Sequence, residues 1–220
     1  MGIGHSKILK GDYMEGLKTG TTTLGIVCKD GVVIAADRRA TAGNFIASKD
    51  VEKVVQINEN LAITTAGSVS DIQLFIKLFR AELKLKNIKT NRSNTIKEAA
   101  NLAARMVYEG ARQYFPSIAH FLLAGFDNSG THLYELYPDG SMSEIKDYIS
   151  SGSGSPMVFG VLESSYKDTL SVKDGEDLAL RAISASIQRD AMSGNGIDVT
   201  VITKDNIKKT VQRKVPTVPV

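Results

Sequence analysis

Strand-like and helix-like stretches occur in blocks along this chain, and their order is the feature that most constrains its fold. From Thr21 to Ala66 the pattern is apolar and β-branched, in runs separated by turn residues such as Lys29-Asp30-Gly31. After Ser68 the apolar residues recur at helical spacing instead. Because strands and helices do not alternate singly, the sequence predicts antiparallel sheets covered by helices, and not a doubly wound parallel sheet.

The same patterns predict individual elements. A capping box of Thr95 and Glu98 opens a helix that runs towards Phe115. Another helix follows Ser68 and Ser70, which are possible caps. Pro138-Asp139-Gly140 has the composition of a turn. Strands are predicted over 21–28, 32–36, 51–57, 61–66, 121–126, 131–137, 141–149, 197–203 and 207–212, helices over 157–165 and 174–192, and an extended tail at Pro216 and Pro219.

Composition narrows the class of protein. The 220 residues are 42% hydrophobic and 23% charged, which suits a single globular domain. No apolar run approaches the roughly 18 residues of a membrane span, and the first 20 residues lack the apolar core of a secretory signal. Cys28 is the only cysteine, which is compatible with a reducing interior. We therefore expect a soluble, cytoplasmic protein with no membrane partner.

Several chemistries find no support in the sequence. The three histidines, His5, His120 and His132, have no zinc-binding spacing and do not suggest a Ser-His-Asp triad. No phosphate-binding or dinucleotide-binding glycine motif is present. The net charge of +3 is modest, and the basic residues form no dense stripe that would indicate nucleic-acid binding. We expect no metal, no cofactor and no nucleic-acid partner.

A set of short motifs carries a resemblance to a known family. Thr21 directly follows Gly20, Asp37 stands at the end of a predicted strand, and Lys53 and Gly67 follow on later ones. In order and spacing these motifs closely resemble those of 20S proteasome β subunits over nearly all of residues 21–203. The motifs are Thr21-Thr22-Thr23-Leu24-Gly25, Ala35-Ala36-Asp37-Arg38-Arg39, Ala66-Gly67, Gly152-Ser153-Gly154 and Gln188-Arg189-Asp190-Ala191-Met192-Ser193-Gly194.

The resemblance implies a fold and a set of roles. The fold is an α+β, four-layer αββα sandwich of two antiparallel sheets between helical layers, the N-terminal nucleophile hydrolase fold. Thr21 is the implied nucleophile, Asp37 orients and neutralises Lys53, and the Gly67 N–H stabilises the oxyanion. The remaining implied residues are Ser153, Asp190 and Ser193 around the Thr21 amine and hydroxyl, and Ala40, Val51, Val55, Thr65 and Val69 around an apolar substrate pocket.

Threonine chemistry explains why the Gly20–Thr21 bond matters. A threonine hydroxyl is a poor nucleophile at neutral pH and needs a base, and a free α-amino group with a pKa of about 7.7 to 8.0 can serve. The same nitrogen in a peptide bond cannot. Residues 1–20 are thus expected to be a removable propeptide that keeps the peptidase domain, residues 21–220, inactive. Gly20 has no side chain, so it can adopt strained backbone angles that bring the Thr21 hydroxyl to the preceding carbonyl.

The resemblance also implies partners. They are other β subunits in a seven-membered ring, rings of α subunits, an ATPase regulatory particle and unfolded protein substrates. Two alternatives stay open at this stage. One is an unprocessed, catalytically silent β subunit of the same particle. The other is a different amidohydrolase that uses an N-terminal nucleophile on small amides.

Overall fold

This computed structural model describes residues 20–113 and 119–213. These residues form twelve strands and four helices, which are joined by turns and loops. The strands are β1 (Thr22–Cys28), β2 (Gly31–Asp37), β3 (Ala40–Ala42), β4 (Phe45–Ser48), β5 (Val54–Asn58), β6 (Leu61–Gly67), β7 (Ala119–Asp127), β8 (Gly130–Leu136), β9 (Met142–Ile145), β10 (Tyr148–Gly152), β11 (Ile197–Ile202) and β12 (Ile207–Arg213). The helices are α1 (Val69–Thr90), α2 (Ile96–Ala111), α3 (Ser155–Ser165) and α4 (Val172–Arg189). The predicted propeptide before Gly20 and the tail at Pro216 and Pro219 lie outside the described residues.

The strands form two five-stranded antiparallel sheets and a small hairpin. Sheet I has the order β10-β1-β2-β11-β12, and sheet II has the order β5-β6-β7-β8-β9. The hairpin pairs β3 with β4. Strand β1 therefore lies between β10 and β2, which places the residues at its start beside the ends of both neighbours.

Three apolar layers hold the sheets and helices together. Helices α1 and α2 pack on the outer face of sheet II, around Phe79, Ala103 and Phe121. Helices α3 and α4 pack on the outer face of sheet I, where Leu162 and Ile183 are fully buried. The inner faces of the two sheets meet through a third layer, in which Val32, Ile34 and Ala36 of sheet I face Ala62, Leu122, Ala124 and Leu133 of sheet II. The predicted αββα sandwich is confirmed.

Most predicted elements are present with small shifts at their ends. The first predicted strands match β1 and β2, and the capping box of α2 is complete, with the Thr95 hydroxyl accepting from the Glu98 N–H and the Glu98 carboxylate accepting from the Thr95 N–H. Helix α2 ends at Ala111, short of the predicted end near Phe115. At α1 the N-cap is Ser68, but its hydroxyl bonds the Ser70 hydroxyl and caps no backbone group.

Two strand predictions were wrong, and one hairpin was missed. The run over 141–149 is two strands, because β9 pairs with β8 in sheet II whereas β10 pairs with β1 in sheet I. Residues 51–53 precede β5 and belong to no strand. The short hairpin of β3 and β4, which turns at Gly43 with a φ of 56°, was missed. Local propensity does not reveal which partner a strand has, and so the change of sheet inside one run was not visible.

Candidate active site

Thr21 lies immediately before β1 and is almost completely buried, with 4% of its surface exposed. Its hydroxyl donates a hydrogen bond of 2.7 Å to the carbonyl oxygen of Gly20. The Gly20 N–H in turn donates to the Thr41 hydroxyl at 2.9 Å. This hydrogen bond fixes the chain on the N-terminal side of the Gly20–Thr21 bond. The hydroxyl oxygen of Thr21 is thereby held next to the carbonyl that precedes it.

Gly20 is enclosed tightly by the loop after α4. A Cβ added at Gly20 would lie 1.8 Å from the Cβ of Met192. Rotation of the Met192 side chain would not relieve this clash, because its Cβ is fixed to the backbone. Space alone therefore restricts this position to glycine.

Asp37 ends β2 beside the start of β1, and its buried carboxylate is the electrostatic centre of the site. One oxygen accepts from the Thr22 N–H at 2.9 Å and from the Lys53 ammonium at 2.6 Å. The other accepts from the N–H groups of Arg39 and Gly194, each at 2.9 Å. A buried carboxylate is tolerated only when it is paired and hydrogen-bonded, and here both requirements are met.

Lys53 extends from the segment before β5 to Asp37 and is 4% exposed. Burial lowers the pKa of its ammonium, and the opposing attraction of Asp37 does not fully restore it. Lys53 and Thr21 line the same cavity. A cation in such a water-poor site stabilises negative charge on a nearby oxygen more strongly than it would in water.

Ser153 connects Thr21 to Asp190. The Thr21 nitrogen lies 3.4 Å from the Ser153 hydroxyl oxygen, and that hydroxyl lies 2.6 Å from a carboxylate oxygen of Asp190. The Ser193 hydroxyl lies 2.6 Å from the same carboxylate oxygen. Asp190 thus reaches Thr21 through Ser153. The contact of Ser193 is with Thr22 at 2.6 Å, and not with Thr21.

The side chain of Thr22 was not singled out from the sequence, although it organises this side of the site. Its hydroxyl is fully buried and lies 2.6 Å from both Ser186 on α4 and Ser193. A Cβ at Gly154 would lie 1.9 Å from the Ser186 hydroxyl and 2.0 Å from the Thr22 hydroxyl. Strand β1, α4 and the loop before α3 therefore meet at a point where only glycine fits. The sequence signal that could have indicated this contact was the motif Gly152-Ser153-Gly154.

Two glycines allow the backbone to approach the site closely. Gly152 ends β10 with a φ of +96°, and a Cβ there would lie 1.9 Å from the Thr21 carbonyl oxygen. Gly67 ends β6 with a φ of +131° and lines the cavity beside Thr21. Both conformations are rare for residues that carry a side chain.

A cavity of about 190 Å³ opens beside Thr21. All five residues that the resemblance placed around a pocket line it: Ala40, Val51, Val55, Thr65 and Val69. The first residues of α1 complete the wall with Ile72, Gln73 and Ile76, which were read from the sequence only as part of a helix. Glu52 and Lys53 are the charged residues of the lining, and Lys53 is already paired with Asp37.

Other features of the described residues bear on cofactors and membranes. No group of three or more His, Cys, Asp or Glu side chains within 20–113 and 119–213 is arranged to hold a metal ion. Over the same residues, no helix combines the length and apolar character needed to cross a membrane.

The αββα architecture, with Thr21 immediately before an inner strand of sheet I, is that of the N-terminal nucleophile hydrolase fold. Residues 17–202 match the family described as Proteasome subunit. The chain is also similar to curated proteins named Proteasome subunit beta. It is 45% identical to that of Methanosarcina mazei over 86% of this chain and 90% of the relative. It is 42% identical to that of Archaeoglobus fulgidus over 87% and 89%, and 45% identical to that of Methanothermobacter thermautotrophicus over 84% and 87%.

The chain therefore belongs to the proteasome subunit family. The family match over residues 17–202 spans β1 to β11 and includes Thr21.

Proposed function

We propose that this chain is a catalytic β subunit of a 20S proteasome core, a threonine-type endopeptidase that degrades unfolded proteins inside a barrel-shaped chamber. The observation that carries the proposal is the position of the Thr21 hydroxyl, 2.7 Å from the Gly20 carbonyl oxygen. The buried Lys53 and Asp37 pair in the same cavity supports it. The relatives named Proteasome subunit beta support membership of the 20S core.

Activation proceeds through the Gly20–Thr21 bond. The Thr21 oxygen attacks the Gly20 carbonyl carbon and transfers its proton to the departing nitrogen, so that an ester forms as the C–N bond breaks. Water then hydrolyses the ester, which leaves a carboxyl group on Gly20 and a free amine on Thr21. The propeptide, residues 1–20, is removed by this step.

Catalysis on substrates uses the amine so released. The amine accepts the proton of the Thr21 hydroxyl, and the oxygen attacks the carbonyl carbon of the substrate. The proton passes to the departing substrate nitrogen, so that an ester forms as the peptide C–N bond breaks. Water then hydrolyses the ester, which releases the second product and restores the Thr21 hydroxyl. Lys53 stabilises the developing negative charge with Asp37 as its counter-ion, and the Gly67 N–H donates to the oxyanion. Ser153, Asp190 and Ser193 hold the amine and the surrounding threonines in place, Ser193 through Thr22.

The cavity lined by Ala40, Val51, Val55, Thr65 and Val69 receives the substrate residue that precedes the cut bond. Its lining favours apolar side chains, because desolvating a charged one without a partner is costly. The particle comprises other β subunits in a seven-membered ring and flanking rings of α subunits. An ATPase regulatory particle delivers unfolded substrates in the cytoplasm.

Intact mass measured after assembly with α subunits tests processing. Loss of residues 1–20 is the expected result. A full-length chain that persists in assembled particles would instead identify a silent structural subunit and overturn the catalytic proposal. Hydrolysis of small amides without degradation of an unfolded protein would contradict the endopeptidase assignment.

The change Thr21→Ala tests the nucleophile. Deleting the hydroxyl removes the attacking oxygen, so both propeptide removal and peptide cleavage fall below detection. Thr21→Ser is the matched control, because it keeps the oxygen and retains both reactions. Undiminished cleavage by assembled Thr21→Ala particles would refute the mechanism.

A further inference from the structure

The segment that carries Lys53 has no regular structure of its own. Residues 49–53, here called the Lys53 segment, lie between the end of β4 at Ser48 and the start of β5 at Val54. The segment contributes Val51 and Lys53 to the cavity beside Thr21. Because no strand ladder fixes these residues, their position depends on individual contacts.

At the C-terminal end of the segment, the Lys53 carbonyl oxygen accepts from the N–H and the hydroxyl of Thr65 on β6, at 2.9 Å and 3.3 Å. Arg38 makes three hydrogen bonds to the residues before it. Its carbonyl oxygen accepts a hydrogen bond of 3.0 Å from the Val51 N–H. Its guanidinium donates to one carboxylate oxygen of Asp50, from Nε at 2.9 Å and from one terminal nitrogen at 2.5 Å. One buried residue thus binds both the backbone and a side chain of the Lys53 segment.

Asp198 holds the other terminal nitrogen of Arg38. That nitrogen lies 2.5 Å and 2.6 Å from the two carboxylate oxygens of Asp198, whose side chain is 0% exposed. Asp198 stands on β11, where it pairs with Ala36 of β2, so it is part of the rigid sheet. Burial acts to lower the pKa of Arg38, but its hydrogen bonds to Asp50 and Asp198 outweigh burial and raise it.

Lys209 on β12 adds a second link from the same sheet. Its ammonium lies 2.8 Å from Glu52 and 3.5 Å from Asp198. The Lys53 segment is therefore bound to sheet I at Asp50, Val51 and Glu52.

We propose that Arg38 and Asp198 are positioning residues, whose buried ion pair fixes the Lys53 segment and thereby places the Lys53 ammonium beside Thr21. The inference rests on the proposed function of Lys53. Neither residue touches Thr21 in the contacts described, so both act through the segment. A catalytic group that shifts by about 1 Å can lose about 100-fold in rate.

Asp198→Asn in particles assembled with α subunits is the first test. The substitution keeps the shape of the side chain and removes the charge that holds Arg38. We expect kcat for peptide hydrolysis to fall by about 10- to 100-fold, with a smaller change in KM. Hydrogen exchange, followed by mass spectrometry, should accelerate in the peptide that contains Val51, because its N–H donates to Arg38.

The pH profile separates positioning from a general loss of folded particles. A looser segment admits water to Lys53, which weakens the burial that lowers its pKa. The fall of kcat at alkaline pH should then move to higher pH. Fewer folded particles would reduce the amplitude without moving the profile.

A double change covers the case in which Asp198→Asn does not assemble. Arg38→Met with Asp198→Leu removes both buried charges, and such replacements are often neutral for stability. We expect these particles to assemble, with kcat still reduced and exchange at Val51 still accelerated.

Arg92→Met is the matched control. Arg92 makes a similar bidentate ion pair with Glu98 at the exposed start of α2. The substitution should change neither kcat nor the exchange at Val51.

The outcomes are distinguishable. Assembled Asp198→Asn or double-variant particles with unchanged kcat and unchanged exchange at Val51 would overturn the inference. If the unaltered particle hydrolyses no peptide, the proposed function fails, and exchange at Val51 alone decides whether Arg38 and Asp198 hold the segment.

Discussion

At the scale of single residues, the site depends on one buried carboxylate that satisfies several donors at once. Asp37 accepts hydrogen bonds from three backbone N–H groups as well as from Lys53. Those backbone donors belong to β1, to the second residue after β2 and to the loop after α4. Asp37 therefore fixes the geometry of the site even where it does not touch Thr21.

The change Lys53→Met tests the electrostatic role of the ammonium. Asp37 keeps its backbone donors but loses its paired cation, so the substitution should destabilise the fold by about 3–5 kcal/mol, and the rate is measured per assembled particle. In those particles the positive charge beside Thr21 is lost. We expect peptide cleavage to fall by about 100- to 1,000-fold, as for the loss of one oxyanion-stabilising group. Lys97→Met, at an exposed position of α2, is the control and should cleave normally.

The pH dependence of the unaltered enzyme follows from the same residue. Burial lowers the pKa of Lys53 from its ordinary value of 10.5. As the pH is raised, the activity should therefore begin to fall at a lower pH than that at which a free lysine loses its proton. A rate that stays constant up to that pH would contradict the role of the charge.

Cys28 offers a second residue-scale prediction. Burial, together with Asp30 and Asp174, raises the pKa of its thiol to about 12. Since the thiolate is the reactive form, the folded protein at about pH 8 should resist iodoacetamide, whereas the urea-unfolded chain should react at this one position. Mass spectrometry of the labelled chain gives the result. Rapid labelling of the folded protein would show that the thiol is accessible.

At the scale of elements, helix α2 has the most complete local signal. The capping box of Thr95 and Glu98 is present as the sequence predicted, and the Ile96 N–H donates to Asp127 at the end of β7. The helix start is therefore defined both by its own residues and by one contact with sheet II.

The change Thr95→Ala removes the cap that the Glu98 N–H requires. We expect the free energy of unfolding to fall by about 1 kcal/mol, measured by urea denaturation of the unassembled chain. Lys97→Ala, at the exposed second residue of the same helix, should change it by a few tenths of a kcal/mol at most. Equal effects of the two substitutions would contradict the capping role.

Glu98 gives this helix a pH dependence. Its hydrogen bond from Arg92, followed by that from the Thr95 N–H, lowers its pKa from 4.5 to about 2. A lowered acid pKa stabilises the folded chain above the unfolded value, and this contribution is lost as pH falls from 4.5 through about 2. Glu98→Gln should therefore flatten the decline in stability between about pH 5 and about pH 3. An identical decline in both proteins would refute the assignment.

At the scale of the whole molecule, the layer between the two sheets joins the two halves of the sandwich. Its members come from β2 and β11 on one side and from β5, β6, β7 and β8 on the other. Thr21, Asp37 and Ser153 belong to sheet I and the segments at its edge, whereas Gly67 belongs to sheet II. The residues of the site therefore come together only because this apolar layer holds the two sheets in a fixed position relative to each other.

Leu122→Ala tests this layer. Leu122 is fully buried on β7 between the sheets, and its truncation leaves a cavity. We expect a loss of about 2–5 kcal/mol in the free energy of unfolding of the unassembled chain. Ile88→Ala, at a position 69% exposed on α1, is the control and should cost far less. A loss below that of the control would show that the layer tolerates the cavity.

Local sequence determined much of this protein. The order of strand blocks and helix blocks predicted antiparallel sheets covered by helices, because periodicity and turn chemistry act over a few residues. The family resemblance implied the αββα sandwich. The motifs around Thr21, Asp37 and Lys53 named the residues that the fold brings together. Only the tertiary structure decided that Ser193 contacts Thr22, that the run over 141–149 divides between two sheets, and that Arg38 binds both Asp50 and Asp198. These contacts join residues that are mostly far apart in the chain, and their geometry is set by how the sheets and helices pack, which no local pattern encodes.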